Sequence, residues 1–528
     1  MINKTPDFEL LLKEINGLVK APRDYFELAA ILESLGYSDQ RIKADFGYED
    51  IFSFSQEIFQ QIQDTQSANC LNEKIVEKTK ISELFLGTLR GVFSVLPMII
   101  SMFSVFLMNF SLWSFVDKND SGVEKATAIA LATILSMVAT GGFSQSFLRK
   151  AYGLYEQKFS KKLWKLYIFY FKEGLFAAVY IAALISAFVL FSDIYRIKNL
   201  IIFDVYFLLL TAVWLCMPIL NIYKAEGIFV LNLGLSIYLV YFLKYYLCID
   251  IIIAQIVAMI TFVIVHFVFI KINLALISYK NENKYLSANY NPRLLFDAYI
   301  TAPYFVYGIL YYALIFMDRL IAWSSNIKYI LEPVLRMKGE YDLGMNWGIF
   351  VIIIPAIFIE VFVRVYINKV FISSKSFSVE REDNFIKTNL KNFTALIRMF
   401  LVICIIGAIV SIGVINYTVF KWGIELNPYY SDISRNVFYV SVIGYIFIIG
   451  GLLSNIYLLY LSQGKTLVRI LMISIGINFT VGFILSRIFE EYFACVGFLA
   501  GAAVFFVLST YYTYKVIKKL DYYLYFNK

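Results

Sequence analysis

A glutamate and an arginine lie one helical turn apart near residue 360, and they could do chemistry inside a membrane. Glu360 and Arg364 are four residues apart in an apolar segment, so both side chains would project from the same face of a helix. Charged side chains within a bilayer are costly and commonly mark a substrate or ion pathway. Two interpretations therefore stay open: a structural ion pair that faces a helix bundle, or a substrate or ion contact in a cavity.

A second acid–base pair and a lone histidine are the other notable ionisable groups in apolar segments. Asp318 and Arg319 are adjacent and close to the end of a long apolar stretch, so we expect their side chains at the level of the lipid headgroups. His266 is the only histidine of the chain. It is either a buried hydrogen-bonding group or a proton relay. Arg149 follows another apolar stretch and begins a basic segment.

Uncharged polar side chains in the middle of apolar stretches are further candidates for a substrate pathway. A cation-coupled pump needs a carboxylate near the centre of the membrane, and only Glu360 comes close to that position. A passage for a large polar solute with little charge therefore fits better. The uncharged candidates are Asn232, Gln255, Asn455 and Asn478, with Gln145 nearer one face of the membrane.

The sequence contains none of the common signatures of metal sites or catalysis. One histidine and five scattered cysteines, without a CxxC pair, do not have the spacing of a metal site. The chain has no GxSxG, P-loop or GxGxxG motif. Carboxylates and histidines do not cluster at a membrane interface as a membrane-bound transferase would need. We therefore expect no metal, no cofactor and no enzymatic activity.

Twelve long apolar stretches must position these candidates. Hydrophobic residues make up 60% of the 528 residues and charged residues 16%, whereas soluble proteins average about 25% charged residues. A bilayer core is crossed by about 20 apolar residues in a helix. The composition thus predicts a polytopic membrane protein. The predicted spans lie near 92–114, 124–147, 168–191, 200–222, 226–244, 251–272, 298–318, 347–370, 394–418, 436–460, 466–487 and 492–514.

The distribution of basic residues predicts that both termini lie in the cytoplasm. Connections after the even-numbered spans are rich in lysine and arginine, whereas the connections on the other side carry both signs of charge. The chain is therefore expected in the cytoplasmic membrane with an even number of spans. The connection after the second span illustrates the bias, with Arg149, Lys150, Lys158, Lys161, Lys162 and Lys165.

The predicted fold is all-α, with two six-helix membrane bundles and a small helical domain before them. Residues 1–82 form the predicted cytoplasmic domain, and their net charge of −5 leaves +13 for the remainder of a chain with net charge +8. This domain is either a stabilising extension or a module that binds a partner. Residues 83–275 form the first bundle, 276–297 a cytoplasmic linker, and 298–528 the second bundle with a basic tail.

Three sequence stretches resemble a known family. Residues 140–165 resemble flippase-type membrane proteins, with Gln145 and Arg149 before a basic loop. Residues 308–325, with Asp318 and Arg319, and residues 339–358 are similar to the membrane subunit of the Pel-type exopolysaccharide transporter family. The resemblance covers residue 83 to the C-terminus. It implies the MATE-like fold of the MOP flippase superfamily, in which two six-helix bundles open alternately to each side; the N-terminal extension departs from the family pattern.

The leading hypothesis from the sequence is a transporter subunit that moves a polysaccharide or glycan intermediate across the cytoplasmic membrane. Its expected partners are membrane lipid, the glycan, and a cytoplasmic glycosyltransferase or other export subunit bound through residues 1–82, but no nucleic acid. One alternative is a flippase for lipid-linked oligosaccharides or an exporter of drugs in the same superfamily. Another is a receptor or scaffold that signals through the N-terminal domain without transport.

Overall fold

The computed structural model describes residues 24–60, 81–115, 120–157, 159–192, 196–281, 294–325, 335–362, 382–420 and 431–525. Within these ranges every regular element is a helix, and the sole β-type pairing is an isolated bridge between Phe110 and Phe115. The chain divides into two compact units. One comprises residues 1–86 and 364–389, and the other comprises residues 87–363 and 390–528.

The described N-terminal part of the first unit is a small helical cluster. Helices α1 (Tyr25–Ser34), α2 (Asp39–Asp45) and α3 (51–60) surround a core of fully buried side chains. Asp24 begins α1 because its carboxylate accepts the amide of Glu27 at 2.8 Å. Gly36 ends α1 with a φ of 85°, which glycine adopts without steric cost. The fully buried core residues are Leu28, Leu32, Ile42, Phe54 and Ile58.

Twelve helices of the described chain are long and apolar enough to cross a membrane. The eighth consists of α11 (Gly339–Gly348), a 3-10 turn (Ile349–Ile352) and α12 (353–362). A short helix α17 (Leu520–Tyr525) follows the last span. The other eleven are α4 (Ile81–Met108), α5 (Asp120–Glu156), α6 (Ser160–Ser192), α7 (Ile197–Tyr223), α8 (Glu226–Tyr245), α9 (Ile251–Asn281), α10 (Leu294–Trp323), α13 (Glu382–Ile415), α14 (Asp432–Tyr460), α15 (Gly464–Ile488) and α16 (Ala494–Ile517).

Two of the predicted spans are displaced along the chain. The first was expected at 92–114, but α4 ends at Met108 and residues 110–115 form a turn. Asn109 ends the helix with a φ of 60°, and the Ser104 hydroxyl donates to the carbonyl oxygen of Phe110 at 2.7 Å. The eighth span was expected at 347–370, but its helix begins at Gly339; residues 363–370 lie outside the described residues.

The spans form two six-helix halves, the first from α4 to α9 and the second from α10 to α16. Side chains of α7 are central to the first half, where Tyr206, Phe207 and Val213 are fully buried. Helices α10, α14, α15 and α16 pack together in the second half. The halves meet where α5 packs against α10 and α4 packs against α12. These four helices belong to the first two spans of each half, so the two contacts join equivalent spans of the halves in reciprocal order.

Candidate substrate cavity

A cavity of about 1100 Å³ lies between the two halves. It reaches the end of the bundle where the turn 110–115, the segment 335–340 and residues 490–492 lie. Met337 also contacts the first half there, since its amide donates to the Thr127 hydroxyl at 3.1 Å. Much of the wall is aromatic or apolar. Its aromatic side chains include Trp113, Phe115, Trp214, Phe229, Phe316 and Tyr341.

At the opposite end, α5 and α10 make direct backbone contact through glycines. A Cβ atom built at Gly308 would lie 2.1 Å from the carbonyl oxygen of Gly141. A Cβ atom at Gly142 would lie 2.8 Å from the Phe305 ring. Only residues without a side chain permit this approach, as at other close helix contacts in membranes. We call the contact of Gly141 and Gly142 with Gly308 the first glycine seam.

Charged and polar side chains extend the closure beyond this seam. Lys150 of α5 forms an ion pair with Asp297 of α10, and their side chains are 17% and 10% exposed. The Arg149 guanidinium donates to the Ser462 hydroxyl at 2.6 Å, and its central carbon lies 5.1 Å from the centre of the Tyr304 ring. Both basic residues belong to the first half and their partners to the second. The first glycine seam and these contacts together form what we call the closed end.

A second glycine seam joins α4 to α12. A Cβ atom at Gly91 would lie 2.6 Å from the carbonyl oxygen of Ile357. Gly91 lies near the start of the first span and Ile357 near the end of the eighth. Gly141 lies in the C-terminal part of the second span, and Gly308 lies in the N-terminal part of the seventh. Both seams therefore belong to the same end of the bundle. The closed end therefore involves four helices.

A cluster of charged side chains is buried in the second half. Asp318, Arg319 and Asp342 are 0%, 8% and 4% exposed. The Tyr341 hydroxyl donates to Asp318 at 2.7 Å, and the Trp323 indole donates to Asp342 at 2.8 Å. Asp318 and Arg319 are therefore buried inside the protein, and their expected position at the level of the lipid headgroups stays a prediction. Because α11 begins at Gly339, Tyr341 and Asp342 pack against the end of α10. This contact removes Asp318 and Arg319 from the surface.

Four of the polar candidates hold helices or turns together. Gln255 is fully buried; it accepts from the Tyr206 hydroxyl and donates to the carbonyl oxygens of Ser111 and Ser114. Asn232 and Asn478 also donate to backbone carbonyls, and His266 lies 3.3 Å from the Tyr167 hydroxyl. The lining of the cavity does not include these residues. Their part in a substrate pathway stays a prediction.

The remaining candidates are dispersed. Gln145 is half-buried on α5, Asn455 is fully buried on α14, and Glu360 is half-buried on α12. Arg364 lies outside the described residues, so the Glu360–Arg364 ion pair stays a prediction. Of the candidate residues that the structure describes, Arg319 is the one that lines the cavity.

Sequence reasoning missed several residues that the structure brings together. Asp342 lies within residues 339–358, which carry the family resemblance, but it is not among the candidate site residues from the sequence. Asp297 was treated as part of a linker. Helical spacing could have placed both residues within spans, although it does not identify their partners. Asp297 begins the turn that leads to Thr301 and Pro303, and Asp342 occupies the first turn of the eighth span.

No group of three or more histidine, cysteine, aspartate or glutamate side chains in the described part of the chain could hold a metal ion. The halves, the cavity between them and the closure at one end define a membrane transporter architecture. Solved structures of MATE transporters share this fold. The chain resembles a mutant of the Vibrio cholerae MATE transporter VcmN with a TM-score of 0.56 and 13% identity, covering 84% of this chain and 98% of that one.

Two further structures are a multidrug resistance MATE family transporter of the MOP superfamily in outward-facing and inward-facing conformations. Both have a TM-score of 0.51, with 11% and 13% identity. They cover 82% and 81% of this chain and 97% and 98% of the solved chains. At these identities the likeness concerns the fold. None of the curated proteins matches the chain in sequence.

The family follows from the sequence itself. The PelG exopolysaccharide exporter (EPS-E) family matches residues 73–525, which is most of the chain. The protein belongs to this family. The resemblance noted in three short stretches is thereby confirmed, as is the MATE-like fold that it implied.

Proposed function

We propose that this protein moves a polysaccharide across the cytoplasmic membrane by exposing the cavity between its halves to each side in turn. The observation that carries this proposal is a cavity that reaches one end of the bundle while the other end is shut by contacts between the halves. Such contacts have to break for a solute to pass. A family of exopolysaccharide exporters supports the choice of substrate.

The closed end is the cytoplasmic end in this proposal. Arg149 and Lys150 lie there, and Lys161, Lys162 and Lys165 follow immediately on the next helix. Basic residues concentrate on the cytoplasmic side of membrane proteins. The cavity then faces the exterior, and both chain termini lie in the cytoplasm.

The cavity has the size and wall chemistry for a glycan segment. Its volume of about 1100 Å³ exceeds that of most pockets for drug-sized ligands, which occupy about 300–1,000 Å³. The half-buried rings of Trp113, Trp214 and Phe316 offer flat faces against which the apolar faces of sugar rings can pack. The arrangement binds and moves a solute rather than transforming it, so we propose no catalytic step.

The helical cluster that contains α1 to α3 provides the means to bind an export partner. Residues 1–82 are acidic, with a net charge of −5, and a glycosyltransferase with a basic surface could bind them. Deletion of residues 1–82 tests this role. Loss of export with normal amounts of protein in the membrane supports a partner-binding domain, whereas full export identifies an accessory extension.

Cross-linking of the closed end tests the transport proposal. Cysteines replace Lys150 and Asp297, and a bifunctional thiol reagent with a reducible spacer joins them in cells that produce the polymer. We expect exported polysaccharide to fall to the level of a deletion strain and to recover after reduction. The controls are each single-cysteine variant with reagent and the double variant without it.

Unchanged export after complete cross-linking would contradict the proposal, because polymer would then pass without separation of the halves. Accumulation of a lipid-linked oligosaccharide in the inner leaflet, with no effect on polymer already made, would instead identify the alternative flippase.

A further inference from the structure

The charged cluster of the second half has buried polar atoms without a partner among the described residues. Tyr341 donates to Asp318, Trp323 donates to Asp342, and Arg319 donates to the side-chain oxygen of Asn346 at 2.9 Å. Arg319 also lies in the electrostatic field of both aspartates and of Tyr445. The second carboxylate oxygen of each aspartate and the Nε of Arg319 have no hydrogen-bond partner. Buried polar atoms are nearly always paired, and an unpaired one destabilises the folded protein.

The cluster borders the cavity. Arg319 and Asp342 line its wall, together with the anchoring residues Asn346, Trp323 and Tyr341. Asp318 stands behind Tyr341 and fixes the orientation of its ring through the hydroxyl. A ligand in this part of the cavity therefore lies against a guanidinium and a carboxylate whose remaining bonding capacity is unused.

The types of unpaired atom select the chemistry of the ligand. A metal cation or an ammonium group can satisfy the carboxylate oxygens but offers nothing to the Arg319 N–H. An anion can satisfy the N–H but is repelled by two carboxylates. A hydroxyl group donates and accepts. Neighbouring hydroxyls of a neutral sugar can therefore satisfy Asp342 and Arg319 at once.

The surrounding rings fit the same ligand. Trp323 and Tyr341 are each 1% exposed and hold the two carboxylates in place. The half-buried ring of Phe316 lines the cavity beside Arg319, 5.2 Å from its central guanidinium carbon, and Trp347 adds a second aromatic side chain on this side. Aromatic faces beside carboxylate and guanidinium groups match a ring with one apolar face and a polar edge.

We propose that Asp342 and Arg319 form a binding site for a neutral, hydroxyl-bearing sugar unit, with Asp318 and Tyr341 as positioning residues. The inference rests on the proposed polysaccharide transport and assigns its first contact in the outward-facing cavity. A sugar unit enters beside Asn346, its hydroxyls bond to Asp342 and Arg319 after a small adjustment of these side chains, and its apolar face packs on Phe316.

Binding to the purified full-length protein in lipid nanodiscs tests the site. The probes are a neutral glucose tetramer, a cationic glucosamine tetramer, an anionic galacturonate tetramer, and sodium chloride alone, all measured by calorimetry. We expect the neutral tetramer to bind most tightly. Asp342→Leu should weaken its binding about 5- to 150-fold, as expected for one lost bond and one unpaired buried group. Asp342→Asn, which retains an acceptor oxygen, should lose less.

Two further variants separate binding from folding. Tyr341→Phe removes the bond to Asp318 while keeping the ring, and we expect a smaller loss of affinity than for Asp342→Leu. Thr480→Val changes an exposed side chain of α15 outside the lining of the cavity, whose hydroxyl bonds within its own helix, and should leave binding unchanged. Each variant must retain the thermal midpoint of the parent protein to be interpreted, and Asp342→Asn serves where Asp342→Leu does not fold.

Several results would overturn the sugar site. These are equal affinity for the three tetramers, neutral binding that survives both Asp342 variants, an Asp342-dependent signal from sodium chloride alone, and no binding of any probe, in which case water suffices to satisfy the cluster. The proposed function is tested separately by export in cells. Normal, cross-link-sensitive export with no Asp342-dependent binding rejects the site alone, whereas export that does not require this protein rejects the transport function.

Discussion

Replacement of Gly308 with alanine tests whether the closed end depends on backbone contact between the halves. The added methyl group would lie 2.1 Å from the Gly141 carbonyl oxygen and 2.4 Å from its carbonyl carbon, whereas ordinary contact begins at 3.4 Å. The obstructing atoms belong to the backbone, so side-chain rotation cannot make room. In a close-packed interior, α5 and α10 must separate by about 1.3 Å, the difference between 3.4 and 2.1 Å.

The separation acts on the conformational equilibrium because only the closed arrangement contains this contact. Excess volume in a packed interface costs about 1–3 kcal/mol. That cost falls on the closed end and not on a state in which α5 and α10 have moved apart. We therefore expect the ratio of opened to closed molecules to rise about 5- to 150-fold.

Accessibility of a cysteine at the seam measures this shift. Ser146 lies one helical turn beyond Gly142 on α5 and is 1% exposed. In a Ser146→Cys protein with Cys70 and Cys248 replaced by serine, the rate of maleimide labelling should rise by the same factor after Gly308→Ala. Gly476→Ala is the matched control, since a Cβ atom there meets nothing within 4 Å. An unchanged labelling rate for Gly308→Ala would refute the argument that the backbone seam shuts this end.

Three other perturbations have defined outcomes. Lys150→Ala or Asp297→Ala should weaken the closed end by about 1–3 kcal/mol, between the values for exposed and buried ion pairs, and the exchange Lys150→Asp with Asp297→Lys should restore the parent Ser146 labelling rate. Gln255→Leu should lower the stability of the first half by about 2–4 kcal/mol, because it leaves the Tyr206 hydroxyl and the Ser111 carbonyl unpaired and removes one of the two bonds to the Ser114 carbonyl. The thermal midpoint in detergent reports this loss, with Thr261→Val on the same helix as control. Just before α3, the Asp50 carboxylate accepts the backbone amide of Ser53 at 2.6 Å, and this bond, with a second from the Ser53 hydroxyl, lowers the pKa of Asp50 below its ordinary 3.8. Because the pKa of Asp50 is lower in the folded state than in the unfolded state, the charged carboxylate stabilises the helix above the unfolded-state pKa. This stabilisation is lost as the pH falls through the folded-state pKa. Hydrogen exchange at residues 51–60, relative to the intrinsic rate, should therefore accelerate below about pH 3.8 in the parent protein but not in Asp50→Ala.

The membrane architecture could be predicted because it depends on the length and composition of apolar stretches. Twelve such stretches follow one another, and backbone groups in a bilayer must pair within each helix, so the number of helices follows almost directly. The ends of the helices were harder to predict from the sequence. The run from Asn109 to Phe115 is apolar enough to extend the first span, but the conformation of Asn109 and the hydroxyl of Ser104 turn the chain there.

The arrangement of the polar residues could not be predicted in the same way. Asn232, Gln255 and Asn478 are residue types that a polar substrate pathway would use. In the structure, each instead donates a hydrogen bond to a backbone carbonyl of another segment. A helix that is apolar on all sides gives no sequence signal for the face that packs against its neighbours. For the same reason Asp342 could not be placed beside Asp318 and Arg319, since that neighbourhood arises only when α11 packs against α10.

The glycine seams determine which influences can act on the closed end. Dissolved salt weakens attraction between charges, so it reaches the bond between Lys150 and Asp297. Main-chain atoms in contact across α5 and α10, or across α4 and α12, carry no net charge for ions to screen. Changes in ionic strength therefore weaken the ion pair but leave the glycine contacts of the closed end in place. A molecule that inserts between these helices would separate those contacts directly.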